Sequence, residues 1–236
     1  MKEIANIVKL DFITVKGKSF APLILFILLA IIAAPFTFAY LISTMALFAG
    51  LAAEPAFAVS EQCGYSKLYG ILPIKKHNIV FGRFTFGLIL LLGVSLISIP
   101  LGYIANTLSL GENIDFFKDV ALLGKSWQTS GITIELVAAF CFLSGCCLSA
   151  FEYTLLFIFG VSKQISAILG FAIGFGAIIM IILKVFNIDL NVLLQSLSIT
   201  IANHRLLTMI VLYLGGIFIM ALGACISNFF FCKREL

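Results

Sequence analysis

Two Gly-Lys-Ser tripeptides, Gly17-Lys18-Ser19 and Gly124-Lys125-Ser126, are the first residues in this 236-residue chain whose types could do chemistry. In a phosphate-binding loop, backbone amides and a lysine cradle the phosphates, and a further glycine stands five residues before the Gly-Lys pair. Those positions are Phe12 and Asp119, so neither tripeptide is such a loop. The chain is therefore not expected to hydrolyse ATP or to carry a cofactor of its own. His77 and His204 stand far apart with no partner at ligand spacing, which gives no basis for a metal site. No HExxH, paired intramembrane carboxylates or Ser/His arrangement points to an intramembrane enzyme.

The remaining polar groups are embedded in apolar sequence. Hydrophobic residues make up 62% of the chain and charged residues 11%, with a mean hydropathy of +1.17. A soluble domain is about half apolar and about a quarter charged. The composition thus excludes a cytosolic globule, a disordered tail and a fibrous repeat. A helix crossing a bilayer needs roughly 20 apolar residues. The apolar runs place spans at about 20–34, 38–60, 79–103, 131–159, 165–186 and 206–231. Barrel strands would alternate apolar and polar over about ten residues, and these runs are continuous and longer. The expected fold is an all-α integral membrane protein with a six-span domain over 19–236.

Residues 1–18 are mixed. On a helix Ile4, Ile7, Val8, Phe12 and Val15 share a face, yet Asp11 falls inside that stripe while Leu10 and Ile13 sit off it. The reading is a helix lying along the membrane surface, with a solvated tail as the alternative. Ala56-Phe57-Ala58 resembles a signal-peptidase site, but the apolar run before it begins at Phe20, too far back for a signal core of about 7–15 residues. The six cysteines (63, 141, 146, 147, 225 and 232) read as small hydrophobes rather than as a disulfide framework.

Basic residues near span ends set the orientation. Lys2, Lys9, Lys16, Lys18, Lys67, Lys75, Lys76, Arg83, Lys163, Lys233 and Arg234 fall on one side, and Lys118, Lys125, Lys184 and Arg205 on the other; together these are all 15 Lys and Arg. The richer side is expected to be cytoplasmic and includes both termini and the segment 61–78. The net charge of +4 then reads as topology, with no call for nucleic acid. Glu54, ahead of Pro55, and Glu152, late in the fourth span, both lie toward that side. They either line a substrate path or gate, or are paired or snorkelling structural groups. Glu135 reads as a surface residue at the outer start of the fourth span. Gly170, Gly174 and Gly176 in the fifth span, and Gly215, Gly216, Ala221 and Gly223 in the sixth, mark close helix contacts.

Residues 65–84, YSKLYGILPIKKHNIVFGRF, carry the most information. Pro73 favours a turn at Leu72 and can start the next helix. The lysine pair behind it can rest on an anionic leaflet or meet an acidic partner. The run of an acidic residue, a Tyr/Leu-rich stretch, Leu-Pro-Ile, two lysines, Ile-Val and Gly-Arg-Phe resembles the cytoplasmic loop of small ABC-2 type permeases. These are six-span membrane subunits of ABC exporters, found mainly in Gram-positive bacteria. The stretch FEYTLLFIFGVSKQ is similar to the fourth-span end of that family, except that Ile158-Phe159-Gly160 stands where Lys-Phe-Gly is frequent.

The resemblance implies a partner and a mechanism. A separate cytoplasmic ABC ATPase, in two copies, would bind ATP and magnesium and work on two permeases, a homodimer or a pair of related chains. Segment 61–78 would dock into the ATPase, with Leu72, Pro73, Ile74, Lys75, Lys76 and Arg83 transmitting the motion. The surface helix would form a second contact. Glu54 and Glu152 would line the path between the permeases. The cargo would be hydrophobic or amphipathic, and exporters of phenol-soluble modulins and of peptide antibiotics within the family make a membrane-active peptide the best match. The 24 phenylalanines suit such a path, but lipid-facing surface explains them more simply. A non-transporting sensor or assembly subunit of the cytoplasmic membrane is the alternative.

Overall fold

A computed structural model describes residues 2–18, 57, 75–108, 133–160 and 204–233. The described residues form four helices: α1 (Lys2–Lys18), α2 (Lys76–Leu108), α3 (Ile134–Phe159) and α4 (Arg205–Lys233). The last three are long and apolar enough to cross a membrane, over 29, 26 and 29 residues. They coincide with the third, fourth and sixth expected spans, and the described part of the chain is all-helical. The first, second and fifth expected spans lie outside the described residues apart from Phe57.

Helix is the form such runs must take, because inside hydrocarbon every backbone N–H and C=O has to be satisfied within the segment. The boundaries differ from expectation by a few residues. Helix α2 begins three residues earlier, so Lys76, His77 and Asn78 form its first turn, and it runs through Pro100 to Leu108. Proline in a lipid-embedded helix is tolerated because neighbouring groups take up the freed carbonyl. Helix α3 starts at Ile134 rather than Gly131 and stops where expected. There Gly160 adopts φ 77° and donates its N–H to the Leu156 carbonyl at 2.9 Å. A side chain is strained at that φ, so glycine suits this stop.

Helix α3 is the centre of the packing, with α4 laid most extensively along it and α2 on another side. Gly216 and Gly223 of α4 are buried against α3, and a Cβ at Gly216 would lie 2.7 Å from the Phe142 ring. Close approach through small residues is the usual way helices gain contact in lipid. Gly216 and Gly223 thus do what the sequence implied, whereas Ala221 is exposed. Among the described residues, polar bonds tie α4 to its neighbours at Ser95 Oγ with Tyr213 Oη at 2.7 Å, and at Ser227 Oγ donating to Thr154 Oγ1 at 3.1 Å. Toward the C-terminal end of α2 the Tyr103 hydroxyl donates to the Glu135 carboxylate in an exposed bond, so Glu135, at the surface as expected, also ties α2 to α3. Leu206, Leu207, Ile210, Val211, Leu214 and Phe218 of α4 point outward, as in a helix solvated by lipid. Among the described cysteines only Cys146 is buried; Cys147, Cys225 and Cys232 are exposed.

Helix α1 packs on α2. Ile7 is buried over Gly82, where a Cβ would come within 2.7 Å of Ile7 Cγ2, and Phe12 meets Phe86 edge-on at 4.8 Å. Asn78 Nδ2 donates to the Glu3 carboxylate at the start of the contact. Leu10 and Ile13 are exposed, as the sequence implied.

Candidate functional site

The α1 stripe turns Asp11 inward together with Ile7. Asp11 is 2% exposed, although Leu10 and Ile13 beside it are open. From α2 comes Arg83, 5% exposed, and from α3 come Glu152 at 7% and Tyr153, fully buried. Asp11 lies within electrostatic reach of both Arg83 and Tyr153, so three helices meet in a polar group inside otherwise apolar packing, with Glu152 next to Tyr153 on α3. Buried charges of this kind are costly unless paired, and so are informative when found.

Aromatic rings build the cluster's walls. The Arg83 guanidinium lies over the Phe57 ring, 4.2 Å from Cζ to the centroid, with Phe157 at 5.9 Å. Phe57 meets Tyr153 at 5.5 Å and Phe157 at 5.1 Å, and Phe84 meets Tyr153 at 5.4 Å. A planar cation over a π face is attracted by the ring quadrupole, most strongly when water is excluded. Gly87 admits the Tyr153 ring: a Cβ there would lie 2.5 Å from Cε2 and 2.6 Å from the hydroxyl. Arg83 and Gly87 are four residues apart and so share a face of α2.

The polar atoms are incompletely matched. Asp11 Oδ2 and Arg83 Nε are buried without a hydrogen-bond partner. Burial pushes the Asp11 carboxyl up from its ordinary 3.8 to about 6, and the charge of Arg83 opposes that rise.

The structure separates the residues singled out in the sequence. Lys75 is exposed just ahead of α2 and Lys76 is half-buried in its first turn. Arg83 lies two turns further along and is enclosed by the bundle, away from the exposed lysine. Glu152 and Arg83 are both buried, on α3 and α2, whereas Glu54, Leu72, Pro73 and Ile74 lie outside the described residues. Asp11 and Tyr153 are members that the sequence reading did not select. The signal for Asp11 was present, since it interrupts the apolar stripe four residues after Ile7. For Tyr153 there was none, because an aromatic in an apolar helix looks like core. Among the described residues no three His, Cys, Asp or Glu side chains gather as metal ligands do.

Comparison with known proteins adds a family. No curated protein and no solved structure matches the chain. A family model described as ABC-2 family transporter protein matches residues 6–233, from within α1 to the end of α4. The match takes in nearly the whole polypeptide, and the chain therefore belongs to the ABC-2 family of transporter membrane proteins.

Proposed function

We propose that this chain is the membrane-spanning permease of an ABC exporter in the cytoplasmic membrane, driven by a separate ATP-binding subunit. The family match over residues 6–233 carries the reading. Two copies of the permease and two ATPases form the working unit, and ATP and magnesium reside in the ATPase. The cargo is a hydrophobic or amphipathic molecule, with a membrane-active peptide fitting best.

The geometry supports a route for the motion. Lys75 and Lys76 sit at the tip of α2, directly after Leu72-Pro73-Ile74 in sequence, where an acidic surface of the ATPase can engage them. Helix α2 is continuous from that tip to Arg83, so a push at the lysines reaches the cluster shared with α1 and α3. Arg83 then acts from inside the permease, linking three helices, and not by touching the ATPase. Rocking of packed helices between two arrangements is the established way for such a displacement to open a path. Glu152 lies in that moving layer and Glu54 is proposed to face the cargo route.

The test is purification of the tagged full-length chain in mild detergent together with the proteins encoded beside it. A phosphate-loop ATPase in stoichiometric amount is the expected result. Recovery of the intact permease without any ATPase would remove the basis of the coupling role.

A further inference from the structure

We propose that Phe57 is the positioning residue for Arg83, and that its ring and the guanidinium together close the base of segment 58–74. In sequence that segment runs from Phe57 to Lys75, the residue just ahead of α2. Phe57 is 5% exposed, and its ring centroid lies 4.2 Å from Cζ of Arg83, eight residues after Lys75. The residues that flank the segment are thus brought back together. In the sequence Phe57 stood out only as the middle of an Ala-Phe-Ala tripeptide resembling a cleavage site.

Chemistry explains why an arginine and a phenylalanine meet there. Nε of Arg83 is buried with no hydrogen-bond partner, so at that atom no hydrogen bond fixes the group. A guanidinium is planar and weakly hydrated, and it stacks on a ring more readily than an ammonium does. The ring face is the negative part of the aromatic quadrupole, and it attracts a cation most strongly where water is excluded. The Phe57 ring is itself held from α3. Tyr153 lies 5.5 Å away at 38° and Phe157 lies 5.1 Å away at 78°. Phe157 in turn meets Phe231 of α4 edge-on at 5.2 Å. A displacement of Phe57 therefore reaches Arg83 on α2 and the rings of α3 together.

The consequence is mechanical. A segment fixed at one end swings when pushed. A segment flanked at both ends by one packed layer passes the push to that layer, because close-packed side chains transmit strain. On the proposed function this is the segment that meets the ATPase, and the consequence for coupling rests on that reading. The seating of Arg83 by Phe57 does not. It belongs to this chain alone and is measured without ATPase or cargo.

The experiment uses the full-length chain in lipid nanodiscs, with Phe57 replaced by phenylalanines that carry one, two and three ring fluorines. Fluorine drains negative charge from the π face and nearly preserves the shape of the ring. The melting temperature should fall stepwise with fluorine number, by roughly 4 °C over the series. In an Arg83→Met background the slope should vanish. A second readout reports position rather than stability. The chain has three arginines, Arg83, Arg205 and Arg234, so isotope-labelled arginine gives a short side-chain NMR spectrum, and Arg83→Lys identifies the Arg83 signal. Protons above a ring face are shielded, so the Arg83 guanidinium should resonate upfield. It should stay there in Phe57→Tyr and move toward the position of the exposed Arg205 in Phe57→Leu. A melting temperature indifferent to fluorine number would overturn the inference. So would an equal slope in the absence of Arg83, or an Arg83 signal that Phe57→Leu leaves in place.

Discussion

Replacing Arg83 by methionine should lower the melting temperature of the purified permease by roughly 10 °C, the equivalent of about 3–5 kcal/mol in a chain of this size. Methionine fills much of the arginine's volume, so the loss reports charge more than space. The substitution removes the cation that faces Asp11 inside the bundle and the guanidinium stacked over Phe57 at 4.2 Å. Taking away one partner of a buried charge group leaves the other enclosed and uncompensated, which destabilises more than a surface change can. Arg83→Lys should fall in between, because an ammonium keeps the charge but not the planar face that stacks on a ring. The double variant Asp11→Asn with Arg83→Met should recover a substantial part of the loss, since neutralising both members removes the mismatch. Differential scanning fluorimetry of wild type, Asp11→Asn, Arg83→Met and the double variant gives the coupling directly. Additive effects of the two substitutions would mean that Asp11 and Arg83 do not interact.

Reversing the charge of Lys75 and Lys76 together should abolish cargo-stimulated ATP hydrolysis in the complex reconstituted with its ATPase. The melting temperature should stay close to that of wild type. The contrast with Arg83 is the informative part. Lys75 is exposed and Lys76 half-buried at the tip of α2, whereas Arg83 is enclosed eight residues after Lys75. A substitution at an exposed helix start typically changes stability by less than about 0.5 kcal/mol. Like charges brought against an acidic partner surface, in turn, cost several kcal/mol of association. Unchanged stimulation in the Lys75→Glu, Lys76→Glu protein would take these residues out of the coupling route.

The membrane character and the spans at α2, α3 and α4 were legible in the sequence because lipid imposes one rule on long apolar runs. Their ends were legible only to within a few residues, since polar first-turn groups such as Lys76 and Asn78 belong equally to loop and helix. The resemblance carried by the Leu-Pro-Ile-Lys-Lys region agrees with the family match, which covers far more of the chain than that motif. The candidate cluster was legible only in fragments. Arg83 and Glu152 were chosen for different reasons, one for its motif and one for its depth, and nothing in their spacing joins them. The inward turn of Asp11 and the room that Gly87 leaves for Tyr153 are what give Arg83 its neighbours. A charge inside an apolar stripe looks like a flaw in amphipathicity until its counter-charge on another helix is known.

On the proposed orientation, the lysine-bearing tip of α2 faces the cell interior, where an ATPase can reach it. The most direct test of that orientation is the accessibility of a cysteine placed at Lys75 in a chain whose six native cysteines have been replaced. A membrane-impermeant maleimide should label this position in inside-out vesicles and leave it unlabelled in intact cells. Labelling from outside intact cells, with protection in inverted vesicles, would contradict both the orientation and the drive proposed here.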